Sequence, residues 1–375
     1  MTLKKEALPV VFCVALATLC MIGRGQEKRS EDDGEDNIAV SPRSQGQESS
    51  ASEDSREETW GKIIEAPPEV FFAADLSDEV RKGLTNTLLV ATAEWGNYGP
   101  LEYWVLGTDH KAAKELTELY CDRRSQLGQY EKSQCLSDHL DDHKSHHFEH
   151  YRQVGADALE SGRPKGSMGR NGSRGWGIHL FTSSYPLGFD KLFGSNPAEE
   201  QKTVFHEYFH AVQHAHIQSS NHDDRRALMG PIWFVEGGAE YMAQTTARKL
   251  WASGTLPTID NHDLKSIEQT FENKMKNGRA TIKKNCPGIK LGDIAYGHDC
   301  ETAAYDLGAW AIGYLLIKAG QTALLDTFYP SLNEFGWEGA FKKTFGMSSK
   351  DFYEEFNLFL EIPLADQLAL LPQYP

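Results

Sequence analysis

The sequence predicts an α+β protein, with an N-terminal mixed α/β part and a mostly α-helical C-terminal part. Three observations carry this. Two short runs rich in aromatic and β-branched residues, 101–108 and 175–184, alternate with helix-spaced segments before residue 195. Beyond that point the apolar residues recur at helical spacing, with no further strand signal. One of these later helices carries His206-Glu207-x-x-His210, a spacing with chemical meaning.

The chain opens with Lys4 and Lys5, then an apolar run from Ala7 to Ile22, then Gly23 and Gly25. That is the layout of a secretory signal peptide, residues 1–25, and it predicts a secreted protein. The run is shorter than the roughly 20 residues of a spanning helix, and Pro9 interrupts it. An uncleaved, type II signal-anchored form is the alternative; after cleavage no stable membrane association is expected. Residues 26–59 hold 11 Asp or Glu against 4 Lys or Arg and almost no large apolar residue. Such a segment reads as an acidic disordered linker or pro-segment.

Residues 60–375 read as one folded unit, with an N-terminal α/β subdomain over 60–195 and a helical subdomain over 196–375 that carries the histidine motif. The 375 residues are 40% hydrophobic and include 8 Trp and 18 Phe, enough for a sizeable core. A formal charge of -16 argues against nucleic acid as a partner, since phosphates attract a basic face. A helix is predicted from Leu76, with Ser77 or Asp75 as its cap. Strand 101–108 follows, then a helix from Asp109 to Arg124. "SDHLDDHKSHHFEHYR" (Ser137–Arg152) places five histidines at helical spacing. With charged residues interleaved throughout, it reads as a solvated helix. Residues 162–175, rich in Gly, Arg and Ser, read as a loop, and Asn171-Gly172-Ser173 is a glycosylation sequon that would lie on its surface. Strand 175–184 then precedes the histidine helix and is the candidate edge strand.

Four cysteines follow the predicted signal: Cys121, Cys135, Cys286 and Cys300. An even number in an exported chain suggests two disulfides. Pairing Cys121 with Cys135 and Cys286 with Cys300 closes two short polar loops.

The histidine helix starts with Asn196 and Pro197, a cap and a first-turn proline. Residues four apart lie on one face, so His206 and His210 point the same way and can bind one Zn²⁺. Glu207 stands beside them, placed to take a proton from a water on the metal. Two residues compete as third ligand. His216 would fit H-E-x-x-H-x-x-G-x-x-H, the metzincin pattern, but Gln213 stands where glycine must turn the chain out of the helix. Glu236 lies in "PIWFVEGGAEYMAQTTARKLW" (Pro231–Trp251), a predicted helix opened by Pro231, reached through a loop at "SSNHDDRR". Its apolar neighbours Trp233, Phe234 and Val235 argue that the carboxylate has a partner. Gly237 and Gly238 cost about 1 kcal/mol each inside a helix, which makes sense where another helix passes closely.

His206-Glu207-x-x-His210 followed by Trp233-Phe234-Val235-Glu236-Gly237-Gly238-Ala239-Glu240 resembles the gluzincin zinc metallopeptidases, a group that includes thermolysin, the zinc aminopeptidases and the bacterial collagenases. The match is strongest over Thr203–Ala243. The resemblance implies a zincin-like catalytic domain holding one Zn²⁺ per chain on His206, His210 and Glu236, with Glu207 as general base. It implies that Glu240, one turn after the ligand, orients the first histidine. "YDLGAWAIGYLLIKAG" (Tyr305–Gly320) is similar to a Tyr-x-x-Gly-Ala stretch of the aminopeptidases. That likeness implies Tyr305 as the oxyanion donor, with Tyr296 and His298 as rivals. Phe341, Phe345, Phe352, Phe356 and Phe359 read as core. The chain has no Gly-x-Met-Glu-Asn element, which the aminopeptidases use to grip a substrate N-terminus, so an endopeptidase fits better. The implied function is secreted, zinc-dependent hydrolysis of peptide or protein substrates, the substrate lying along the edge strand by β-addition. A secreted non-catalytic zinc-binding protein is the alternative from another class.

Overall fold

The computed structural model describes residues 59–141, 147–161, 167–173, 177–184, 197–256 and 266–372. The expected signal peptide, residues 26–58 of the acidic segment and Asn196 lie outside the described residues. In chain order, strand β1 (Glu69–Phe72) leads to helix α1 (Asp78–Trp95), β2 (Leu101–Leu106), α2 (His110–Gln126), α3 (Lys132–His139) and α4 (Phe148–Ser161). Strands β3 (Ser167–Ser173) and β4 (Ile178–Ser184) complete the sheet. Helices α5 (Pro197–Ala215), α6 (His222–Met229), α7 (Ile232–Ala252), α8 (Ile267–Asn285), α9 (Glu301–Ala319), α10 (Tyr329–Phe345), α11 (Ser349–Glu361) and α12 (Leu364–Leu368) follow. The α+β division of the chain is therefore as the sequence predicts.

Local chemistry explains most boundaries. The Ser77 side chain accepts the Val80 N–H and caps α1. Asp75, the rival cap, instead accepts the N–H groups of Thr108 and Asp109. Asp109 caps α2 by accepting the Ala112 N–H. Pro197 opens α5 in the position where its missing N–H costs nothing. The stretch read as a loop at "SSNHDDRR" is in part helical, because the Asn221 side chain accepts the Asp224 N–H and starts α6.

The sheet order is β1-β2-β4-β3, with β1, β2 and β4 parallel and β3 antiparallel to β4. This corrects the expected edge. β4 is paired on both sides and all seven of its residues are buried, so it is an inner strand. The edge is β3, in a segment expected to be loop: Gly/Arg/Ser composition gives little strand signal, but the β4 backbone supplies the partners. Asn171 of the sequon accordingly sits in a strand, opposite Leu180, rather than in a loop.

The histidine cluster at 137–152 also departs from expectation. α3 ends at His139 and α4 starts at Phe148, so no single described helix carries it. His139 and His147 are buried, their rings 4.7 Å apart, and His139 also packs against Tyr120 and Phe148. Both disulfides pair as expected, Cys121 with Cys135 and Cys286 with Cys300. Such bonds fit an oxidising compartment. Among the described residues no helix is long and apolar enough to cross a membrane.

A single cluster of buried apolar residues runs from Ala73 to Leu371 and contains the five predicted core phenylalanines. Within it α7 crosses α9 in near backbone contact. A Cβ on Gly237 would lie 2.2 Å from the Gly308 carbonyl carbon, and one on Gly308 would lie 2.4 Å from the Trp233 oxygen. Only glycine at both positions permits this approach. Gly238 is less constrained: its Cβ would meet Gln213 Nε2 at 3.3 Å.

Candidate metal centre

Helix α5 is held rigidly before it offers any ligand. Val204, Phe205, Tyr208, Phe209 and Val212 are fully buried, and Trp95 of α1 packs against Phe205 and Phe209. Helix α7 comes up beside α5, fixed from behind by the glycine contact with α9. The two helices bring His206, His210 and Glu236 together, all buried, with one possible ligand atom from each within 4.8 Å of the others. Among the described residues this is the one such group of His, Cys, Asp or Glu that could hold a metal ion.

The donor directions can be worked out from the surrounding partners. Gln213 Nε2 lies 3.0 Å from the Val235 carbonyl oxygen, which can only accept, so the amide nitrogen faces it. Gln213 Oε1 therefore faces His210 Nδ1, at 2.7 Å, and that ring nitrogen carries the hydrogen. His206 Nδ1 lies 3.1 Å from Glu240 Oε2. Glu240 is ionised, since Lys274 Nζ at 2.8 Å, Lys202 Nζ at 3.2 Å and Gln244 Nε2 at 3.1 Å all donate to it. Burial pushes its carboxyl pKa up, but Lys202, Lys274 and His206 outweigh that and hold it well below the usual range. An ionised carboxylate only accepts, so His206 also carries its hydrogen on Nδ1.

Both Nε2 lone pairs are then turned inward, each 3.3 Å from Glu236 Oε2. Three buried lone pairs facing one another repel unless a cation lies among them. Ligands of a tetrahedral Zn²⁺ at about 2.0–2.1 Å are themselves about 3.3 Å apart, so the observed spacing fits one such ion. A proton is the competing cation. Desolvation opposes a charged His206, but hydrogen bonds to Glu236 and Glu240 outweigh it and raise the ring's pKa to about 9. The converse holds for Glu236, whose carboxyl burial would raise but the two histidines lower.

The remaining expected residues sort themselves around this centre. Glu207 is partly exposed on α5, and its charge contributes to raising the pKa of both Tyr296 and Tyr305. Tyr296 donates to Glu236 Oε1 at 2.5 Å, leaving Oε2 for the histidines. Tyr305, the first-choice donor, instead stacks its ring on His206, centroids 6.1 Å apart and the planes 12° from parallel. His298 Nδ1 accepts the Ala295 N–H within its own turn and is exposed. His216 falls just past the end of α5, with Nδ1 2.7 Å from the Val212 carbonyl and its ring between Tyr98 and Tyr329. It is not in the ligand group. The helix runs straight through Gln213, which is the reason His216 cannot come round.

Gln213, Lys202, Gln244 and Lys274 were not singled out from sequence. Three had a signal: Gln213 is three residues after His210, Lys202 four before His206 and Gln244 four after Glu240, each on the working face of its helix. Lys274 comes from α8 and had none. No protein-family model, no curated protein and no solved structure matches the chain.

Proposed function

We propose that this chain is a secreted zinc-dependent peptidase of the gluzincin kind, an endopeptidase, with His206, His210 and Glu236 as the ligands of one Zn²⁺. The observation that carries the reading is that Glu236 Oε2 lies 3.3 Å from the inward-facing Nε2 of both histidines, the separation of two ligands on a tetrahedral ion, with Glu207 on the adjacent helix position. A structural site has no use for a further carboxylate beside its ligands. When bound, Zn²⁺ supplies Lewis acidity toward a water and toward the scissile carbonyl.

The chain's residues do the rest. Glu207 takes a proton from the attacking water and returns it to the leaving amine. Tyr296, whose hydroxyl already reaches the centre, replaces Tyr305 as the donor to the developing oxyanion. Tyr296 is 47% exposed, but its hydroxyl is turned in against Glu236, and the desolvation there together with the carboxylates of Glu236, Glu301 and Glu207 raises its pKa, so it keeps its proton. Glu240 holds the His206 ring in the ligating tautomer. Substrate adds as a strand along β3, the edge of the sheet next to β4.

The test combines metal analysis with digestion of a broad peptide library by protein lacking residues 26–59. One zinc per chain with cleavage at internal bonds is expected. One zinc with no cleavage would instead favour a non-catalytic zinc-binding role, and absence of bound metal would refute the centre itself.

A further inference from the structure

Gln213 has a pattern of contacts that no neighbouring side chain could reproduce. It stands three residues after His210 on α5, fully buried, and uses every polar atom of its amide. Oε1 faces His210 Nδ1 at 2.7 Å. Nε2 donates to the Val235 carbonyl at 3.0 Å and to the Tyr329 hydroxyl at 3.1 Å. Val235 is the residue before Glu236, so one amide ties the second histidine's ring to the backbone that carries the carboxylate. Tyr329, buried at the start of α10, anchors the same amide from a third helix.

The two ligand rings are therefore held differently. His206 is backed by a carboxylate that two lysines keep ionised. His210 is backed by a neutral amide whose orientation the Val235 carbonyl dictates, because an acceptor there excludes the flipped amide. The geometry points to Gln213 as a positioning residue: it fixes His210 in the Nδ1–H tautomer and so sets the metal affinity of the centre. This inference rests on the metal reading above and goes beyond it, since nothing in that reading requires a partner at residue 213.

Two substitutions separate a positioning role from a packing role. Gln213→Leu keeps the volume and removes the acceptor. Gln213→Glu keeps an acceptor for His210 Nδ1 and removes the donors to Val235 and Tyr329. Partners of this kind typically change metal affinity 10–100-fold. Zinc affinity, measured by competition with a chelator, should therefore fall about 10–100-fold in Gln213→Leu, with Gln213→Glu recovering most of the loss. A packing role would lower the melting temperature of both variants and leave zinc affinity where it was. Equal affinity losses in the two variants would also overturn the proposal. Should Gln213→Leu fail to fold, the wild-type protein decides alone: labelled with ¹⁵N-histidine and loaded with zinc, it should show both metal-bound rings protonated at Nδ1. A His210 ring lacking that proton would overturn the assignment. Wild-type protein that binds no zinc would refute the metal reading itself, an outcome distinct from zinc binding that ignores residue 213.

Discussion

Gly237→Ala is the sharpest perturbation of the framework behind the centre. The added methyl would sit 2.2 Å from the Gly308 carbonyl carbon and 2.6 Å from both its Cα and its oxygen. Favourable carbon contacts begin at about 3.5 Å, so α7 and α9 must separate by something over 1 Å locally. The obstruction is backbone and cannot rotate away. Overpacking of this sort costs about 1–3 kcal/mol, against about 1 kcal/mol gained in helix propensity. The movement matters more than the stability, because Glu236 is the adjacent residue and metal sites tolerate only about 0.2 Å in ligand distance. Zinc affinity by chelator competition and a urea midpoint should both fall. Gly238→Ala is the comparison: its nearest contact is Gln213 Nε2 at 3.3 Å, so no backbone obstructs it and the urea midpoint should fall much less than at 237. Equal midpoint losses at 237 and 238, or no loss of zinc affinity at 237, would refute the idea that the glycine crossing sets the position of Glu236.

Three further outcomes are expected. Glu207→Gln should retain zinc and lose peptide cleavage by at least about 10²-fold, as removal of a general base does; normal turnover would show the base is misassigned. Tyr296→Phe should lower kcat by about 10²–10³-fold while Tyr305→Phe changes it far less, and the reverse order would return the oxyanion role to Tyr305. His216 is partly buried, and burial lowers its pKa, countered only in part by its hydrogen bond to Val212. The unfolded chain takes up the proton below about pH 6.5 and the native state resists, so stability present above that pH is lost as pH falls toward the lower native value. Between pH 7.5 and 5 the urea midpoint of wild-type protein should fall more than that of His216→Gln; parallel slopes would contradict the assignment.

Much of the centre was legible because its ligands obey local periodicity. His206, Glu207 and His210 share one helix, and Glu236 and Glu240 another, so spacing alone places each set on a face. Gly237 was legible as a close helix contact, though not that Gly308 would be its partner. What failed were features decided by distant partners. β3 has a loop composition and becomes a strand because β4 presents an unpaired side to it. His139 has charged sequence neighbours, yet it is buried by Tyr120, Phe148 and His147, which come from other helices or turns of the chain. Tyr305 matches the spacing of the family it resembles, but Tyr296 reaches Glu236 from the loop that the Cys286–Cys300 disulfide closes, a placement no periodicity encodes. Lys274 arrives at Glu240 from α8 for the same reason.

The central claim is that two imidazoles on one helix and a carboxylate on the next surround a single cation. Crystallographic anomalous scattering at the zinc edge, on protein prepared with one equivalent of zinc, tests it most directly. The account predicts one strong peak bonded to His206 Nε2, His210 Nε2 and Glu236 Oε2 at about 2.0–2.1 Å. A peak elsewhere, or a Glu236 side chain turned away from both rings, would contradict it.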